Sequence, residues 1–243
     1  MNRRAAALAA LGLAAYLLFL AALTPATFIA ARVEAASRGT LRVTEAAGRW
    51  WRGEARVNGH LVTWSFVPAR LFAGRIAFDV RAAAPGLVAE LEAARTFGGF
   101  QARDLRASGD ASALAALLPM LSTLRPSGAL TLSAPRLDWD GQQLRGAAQA
   151  EWRGAALALS EVRPLGSFKA SLESIEGPSR ITVATIEGPL RINGQGTLAP
   201  TGALAFTGEA RADAAQAAAL EPLLSIMGPR RPDGAYSLDW RSR

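Results

Sequence analysis

From Ala5 to Leu23 the chain carries no charge, and Arg3-Arg4 stand immediately before that run. These nineteen residues, as a helix, would span roughly 28 Å, close to the thickness of a bilayer core. Leu8, Leu11, Leu13, Leu17, Leu18, Leu20, Leu23 and Phe19 each favour insertion, with alanine near neutral. Thr24-Pro25 ends the run. The expected organisation is a cytoplasmic tail over 1–4, a transmembrane anchor over 5–24 and a juxtamembrane spacer over 25–39. A cleaved signal peptide is the alternative, but its apolar core is usually shorter, and Thr24-Pro25-Ala26 makes a poor small-x-small site. Arg32, Arg38 and Arg42 lie beyond the anchor, so loop charge does not set the orientation. The very short tail favours a cytoplasmic N-terminus, with the large following domain exported.

Beyond residue 40 the apolar period changes to two. Val62, Trp64 and Phe66 share one side of an extended segment, as do Ile76, Phe78 and Val80. The pattern returns at Leu130 and Leu132, Phe168 to Leu172, Ile181 and Val183, Leu204 and Phe206, and Tyr236 to Trp240. Asn58-Gly59 and Asn193-Gly194 read as hairpin turns, because both turn positions favour positive φ. Asp140-Gly141 and Asp233-Gly234 read similarly. Two segments are helical instead, 111–124 and 212–227. Asp110 and Asp213 suit their first turns, and Pro119 and Pro222 should bend or shorten them.

Short motifs recur in order. Trp51-Arg52-Gly53 returns as Trp152-Arg153-Gly154, Ser108-Gly109-Asp110 as Thr207-Gly208-Glu209, and Pro126-Ser127-Gly128 as Pro232-Asp233-Gly234. The expected fold is mainly β. It has an N-terminal transmembrane helix and then a curved antiparallel β-sheet domain built from two similar halves, 40–138 and 142–243, each with one short helix.

The chain has 243 residues, half of them apolar, which suits a sizeable core and argues against disorder. Its net charge of +7 rests almost wholly on arginine, since Lys169 is the single lysine. The arginines are scattered, and a phosphate-binding face needs clustering, so no nucleic-acid partner is expected. The absence of cysteine removes disulfides, thiol catalysis and thiolate metal sites.

No catalytic, metal or cofactor site is expected. His60 is the single histidine and follows a turn, so it reads as a hairpin shoulder. Asp138 and Asp140 flank Trp139 and could form an acid/base pair, but they read better as exposed turn acids. Glu90, Glu92, Glu173 and Glu176 read as solvated. Gly188 and Gly194-Gln195-Gly196 read as turns, without the strand-to-helix context of a phosphate loop. Adjacent Trp50 and Trp51 on a strand would point to opposite faces. With Trp64 they are either core or an interface to a partner or lipid.

Gly48-Arg49-Trp50-Trp51-Arg52-Gly53-Glu54-Ala55 resembles the Gly-x-x-Trp-x-Gly-x-Ala signature of the type II secretion system protein N family. Trp64, Pro68 and Leu71 resemble its Trp-x-x-x-Pro-x-x-Leu continuation. Trp152 with Gly154, Gly166, Gly188 and the Gly234 segment are similar to its second half. The resemblance implies a non-catalytic accessory component of the inner membrane that supports export of folded periplasmic proteins across the outer membrane. Its implied partners are inner-membrane lipid, the other platform proteins and, at longer reach, the secretin. Antiparallel repeats behind an anchor also resemble curved-sheet proteins of the AsmA type, so a lipid- or hydrophobe-binding periplasmic protein is the alternative.

Overall fold

The period of two becomes thirteen strands in a computed structural model, each paired antiparallel with its neighbours in strict chain order. The structure describes Gly12, Tyr16, Phe19 and residues 23–37, 40–117, 123–175 and 177–241. The strands are β1 (Val43–Arg49), β2 (Arg52–Val57), β3 (His60–Phe66), β4 (Ile76–Ala84), β5 (Leu87–Thr96), β6 (Gly99–Asp110) and β7 (Ser127–Trp139). They continue as β8 (Leu144–Ala156), β9 (Gly166–Ser174), β10 (Ser179–Glu187), β11 (Leu190–Leu198), β12 (Leu204–Ala212) and β13 (Tyr236–Arg241). Among the described residues, helices α1 (Ala26–Ala36), α2 (Ser112–Leu117) and α3 (Ala217–Met227) accompany them. The anchor falls largely outside the described residues, among which no helix is long and apolar enough to cross a membrane.

Local turn chemistry explains the meander. Asn58 and Gly59 have φ of 51° and 84°, the doubly left-handed turn that matches strand twist. Asp140 Oδ1 accepts from the backbone N–H groups of Gln142 and Gln143 at 2.9 and 2.8 Å, closing the β7–β8 hairpin. Pairing runs from Trp139↔Leu144 to Ser127↔Ala156, with register shifts between Ser133 and Arg136 and between Ser127 and Ala129. The expected junction between halves is therefore a hairpin inside one continuous sheet.

Asn193-Gly194 behaves differently from the expectation. Both residues lie inside β11, opposite Glu209 and Gly208. A side chain at Gly194 would sit 2.4 Å from the Phe206 ring, so this glycine makes room for an aromatic rather than a turn. The tryptophan pair is also corrected. Trp50-Trp51 is the two-residue connection between Arg49 and Arg52, so strand alternation does not apply to it.

The helices follow the expectation in part. Helix α2 covers Ser112–Leu117, whose Ser112 N–H donates to Asp110 Oδ1 at 2.8 Å, while Pro119 lies outside the described residues. Asp213 does not cap; it pairs with Arg191 at 2.8 Å. Strand β12 runs through Ala212, so α3 begins later than expected. Pro222 sits inside α3 without ending it. A mid-helix proline costs about 3 kcal/mol, and Leu220, Leu223 and Leu224, all buried, offset that at about 1.5–3 kcal/mol each.

Strand register carries one apolar face across the sheet. Trp64 lies opposite Val80, which lies opposite Leu91; further on, Trp152 lies opposite Phe168, and Ala170 opposite Val183. Helix α3 covers the C-terminal end of this face, where Leu220 and Leu224 pack with Leu165, Phe168 and Tyr236. The other face is polar, with Ser65, Asp79, Glu92, Arg103 and Arg136 in one cross-strand row.

Candidate interaction surfaces

The glycine-tryptophan signature builds the first hairpin. Gly48 and Gly53 are paired across β1 and β2, and a Cβ on Gly53 would lie 2.7 Å from the Trp64 ring. Trp64 therefore lies over this pair and donates Nε1–H to the Trp50 carbonyl at 3.0 Å. The Trp50 ring packs against Phe66 and Phe78, with centroids 5.3 and 6.1 Å away. Trp50 and Trp64 thus belong to the apolar face, whereas Trp51 is 37% exposed. Pro68 opens a 3-10 turn, Pro68–Ala73, whose missing N–H costs nothing at that position. Leu71 on the same turn is exposed. In the second half, Trp152 donates to the Ser127 carbonyl at 3.0 Å and packs on Phe168. Gly154 lies at the end of β8, Gly166 and Gly188 meet backbone to backbone, and Gly234 closes a turn onto Arg231.

His60 stands at the start of β3 opposite Val57, the hairpin shoulder the sequence predicts. Among the described residues no group of His, Asp and Glu has the arrangement of a metal site.

Glu92 overturns its solvated reading. It is 8% exposed, and Arg70 reaches its Oε2 at 2.8 Å. Its Oε1 is buried and finds no hydrogen-bond partner among the described residues. Such an orphan costs about 1–3 kcal/mol. Glu92 also stands directly opposite Asp79, and like charges in that position repel. Beside it, β6 carries one extra residue against β5, and Asp104 in that bulge takes φ of 49°. Bulges re-aim side chains, and here the result is a cleft of about 750 Å³ on the polar face. Glu54, Asp79, Glu90, Glu92 and Asp104 line it, against Arg52 and Arg81. Arg81 is spent on Glu90 at 3.0 Å. Glu54, Asp79 and Asp104 have no ion pair among the described residues. On a chain of net charge +7, this is an acceptor-rich surface suited to a guanidinium or ammonium group. Sequence reasoning missed it because the charges come together only through the cross-strand register.

Asp138 and Asp140 do not form an acid/base pair. Asp140 faces the turn, where the backbone N–H groups of Gln143 and Gln142 hold its carboxyl below the usual range. At Asp138 partial burial works in the opposite direction, but hydrogen bonds from Arg136 and Gln101 outweigh it and lower the carboxyl. Gln101, itself buried, donates to Asp138 at 2.5 Å and accepts from Arg75 and Arg103. The folded Asp138 carboxyl holds its proton less tightly than the unfolded one. Its contribution is therefore present above the ordinary value of 3.8 and is lost as pH falls through the lower folded value. Asp138→Asn should remove that acid-side loss, a change below about 1 kcal/mol for a group this open to solvent. Urea midpoints measured from pH 6 down to pH 3, roughly spanning the carboxylate range, would read it; an unchanged acid limb would count against the assignment.

A family model described as type II secretion system (T2SS), protein N, matches residues 39–239. No curated protein and no solved structure matches the chain.

Proposed function

We propose that this chain, which belongs to the type II secretion system protein N family, serves that system as an accessory inner-membrane component acting by contact rather than catalysis. Membership carries the role in type II secretion. The finer reading is a single-pass protein, held by Ala5–Leu23, whose sheet domain stands in the periplasm and engages the platform proteins and the secretin. One observation carries the contact reading: the like-charged Asp79 and Glu92, side by side, with an acceptor oxygen left unsatisfied. A basic segment of a neighbouring subunit pairs with the carboxylates of Glu54, Asp79 and Asp104, which line the same cleft without an ion pair among the described residues.

The test is affinity isolation of the full chain from gently solubilised membranes, followed by mass spectrometry of the platform proteins. Wild type should retain them, and Asp79→Asn with Glu92→Gln should lower recovery at least about tenfold, the weight of a desolvated charge contact. Recovery that is absent from wild type, or undiminished in the variant, would sink the reading.

The two-half organisation, 40–138 and 142–243, is proposed on matching order. Five strands, a helix and a strand run from β2 through α2 to β7, and again from β8 through α3 to β13. The Asp110 N–H donates to the Gly86 carbonyl before one helix, and the Asp213 N–H to the Pro189 carbonyl before the other.

A second reading, hydrophobe binding in the AsmA manner, is favoured by the apolar face. Leu132 and Trp139 on it are each 37% exposed, and α3 covers only its far end. Lipid mass spectrometry of the purified full chain should then find a bound acyl chain; an empty protein would remove the idea.

A further inference from the structure

In a chain-ordered meander, alternate turns gather at one end of the sheet. The β1–β2, β3–β4, β5–β6, β7–β8, β9–β10 and β11–β12 connections share such an end, and β13 finishes there. The exposed aromatic side chains of the described β domain, Trp51, Phe72, Phe97, Phe100, Trp139 and Trp240, all lie at this end. Phe72 and Phe97 are 98% and 101% exposed, and Ile175 in the β9–β10 turn is 79% exposed. The tight turns of the opposite end carry Asn58-Gly59, Pro85-Gly86 and Gly188-Pro189 instead. Folding alone gains nothing from phenyl rings placed wholly in water at successive turns, so a surface outside the domain must receive them.

The chain itself says which surface. Thr24 and Pro25, the last residues before the described domain, sit at the same end. The Trp50 N–H donates to the Thr24 carbonyl at 3.2 Å, and Pro25 bridges to Arg49. The apolar run ending at Leu23 therefore meets the sheet where the exposed aromatics are. Charge agrees. Arg95 stacks over Phe100 at 4.5 Å. A notch of about 450 Å³ beside Phe97 holds Arg75, Arg103 and Arg136 against Asp138 alone. Aromatic rings with arginines among them are the composition of a membrane–water interface, with rings at headgroup level and guanidiniums on anionic phosphate.

We propose that this turn-bearing end is a membrane-seating rim. Phe72, Phe97 and Ile175 dip into the bilayer interface and stand the sheet upright on the leaflet from which the anchor emerges. The inference rests on the reading of Ala5–Leu23 as an anchor, and adds that the domain is held to the lipid surface at several turns rather than swinging from a single tether.

The cysteine-free sequence makes the test clean. Full-length Phe72→Cys, Phe97→Cys and, at the other end, Glu161→Cys each carry one environment-sensitive fluorophore. They are reconstituted into phosphatidylethanolamine–phosphatidylglycerol vesicles containing lipid spin-labelled near the headgroup. Side chains buried about 5–10 Å into the interface fall within reach of that quencher. Quenching at residues 72 and 97 should exceed that at residue 161 at least about threefold. An Ile175→Cys label should lose its quenching when Phe72→Glu and Phe97→Glu are added. Equal quenching at 72, 97 and 161 would overturn the rim. Alkaline extraction of the same vesicles reads the anchor separately. A chain that stays bound with unquenched labels defeats only the rim, and a chain that is released yet quenched while bound defeats only the anchor.

Discussion

Leu220→Ala should lower the stability of the sheet domain by about 3–5 kcal/mol, the upper part of the range for a buried leucine truncated in place. Leu220 is fully buried, and it joins Leu165, Phe168 and Tyr236 in the cluster under α3. The loss has two parts, the apolar surface no longer removed from water and the void left behind. The void is hard to collapse because strands supply the floor and a helix containing Pro222 supplies the roof. Ile226→Ala, on the same helix but 73% exposed, should change stability by no more than about 0.5 kcal/mol. Urea unfolding of the full chain in mild detergent, followed by tryptophan fluorescence, compares them. Equal effects would mean that α3 does not pack on the apolar face.

Gly188→Ala should be comparably severe, at about 3 kcal/mol or more. The backbone here has φ of +118°, a region that side chains avoid at about 1–3 kcal/mol. The added Cβ would also fall 2.3 Å from Gly166 Cα and 2.9 Å from the Leu165 carbonyl oxygen. Both are backbone atoms, so relief requires strands to part, which adds about 1–3 kcal/mol of overpacking. Nearby, the Leu190 N–H donates to that same Leu165 carbonyl at 2.9 Å, a bond any such movement lengthens. Gly202→Ala, at φ of +89° but with open space around it, pays the backbone term without the collision. The difference between the two denaturation midpoints isolates the close approach; if they match, the contact between Gly166 and Gly188 is not as described.

Neighbouring-residue chemistry was legible in the sequence. Asn58-Gly59 turns where it should, because both φ angles are set by the two residues themselves. Asp140 closes its hairpin through its own side chain. Asp110 caps α2. Asn193-Gly194 has the same letters as the first turn, yet lies within a strand, because Phe206 on the partner strand needs the space. Pro222 by local chemistry should bend or shorten its helix, yet α3 runs on past it to Met227, with Leu220, Leu223 and Leu224 buried around it. Glu92 looked like any alternating surface acid. Its burial comes from Arg70, which arrives from the turn between β3 and β4.

The candidate surfaces divide in the same way. Trp50, Trp51 and Trp64 could be singled out by residue type, but their roles separate only when the hairpin folds Trp64 across Gly53 and leaves Trp51 outside. The acidic cleft could not be read at all, since Glu54, Asp79, Glu92 and Asp104 are spread over four strands.

By itself the sequence determined the β class, the hairpins at Asn58-Gly59 and Asp140-Gly141, the places of α2 and α3, and its family signature. These depend on residue identity and on contacts a few positions apart, where the side-chain period of two and the φ preferences of Asn, Gly and Asp act directly. Only the tertiary structure decided that the sheet is continuous, which carboxylates face one another, and that the exposed aromatics share one end. Those depend on register between strands tens of residues apart. A slip of one residue there exchanges the two faces, so no local pattern could specify them.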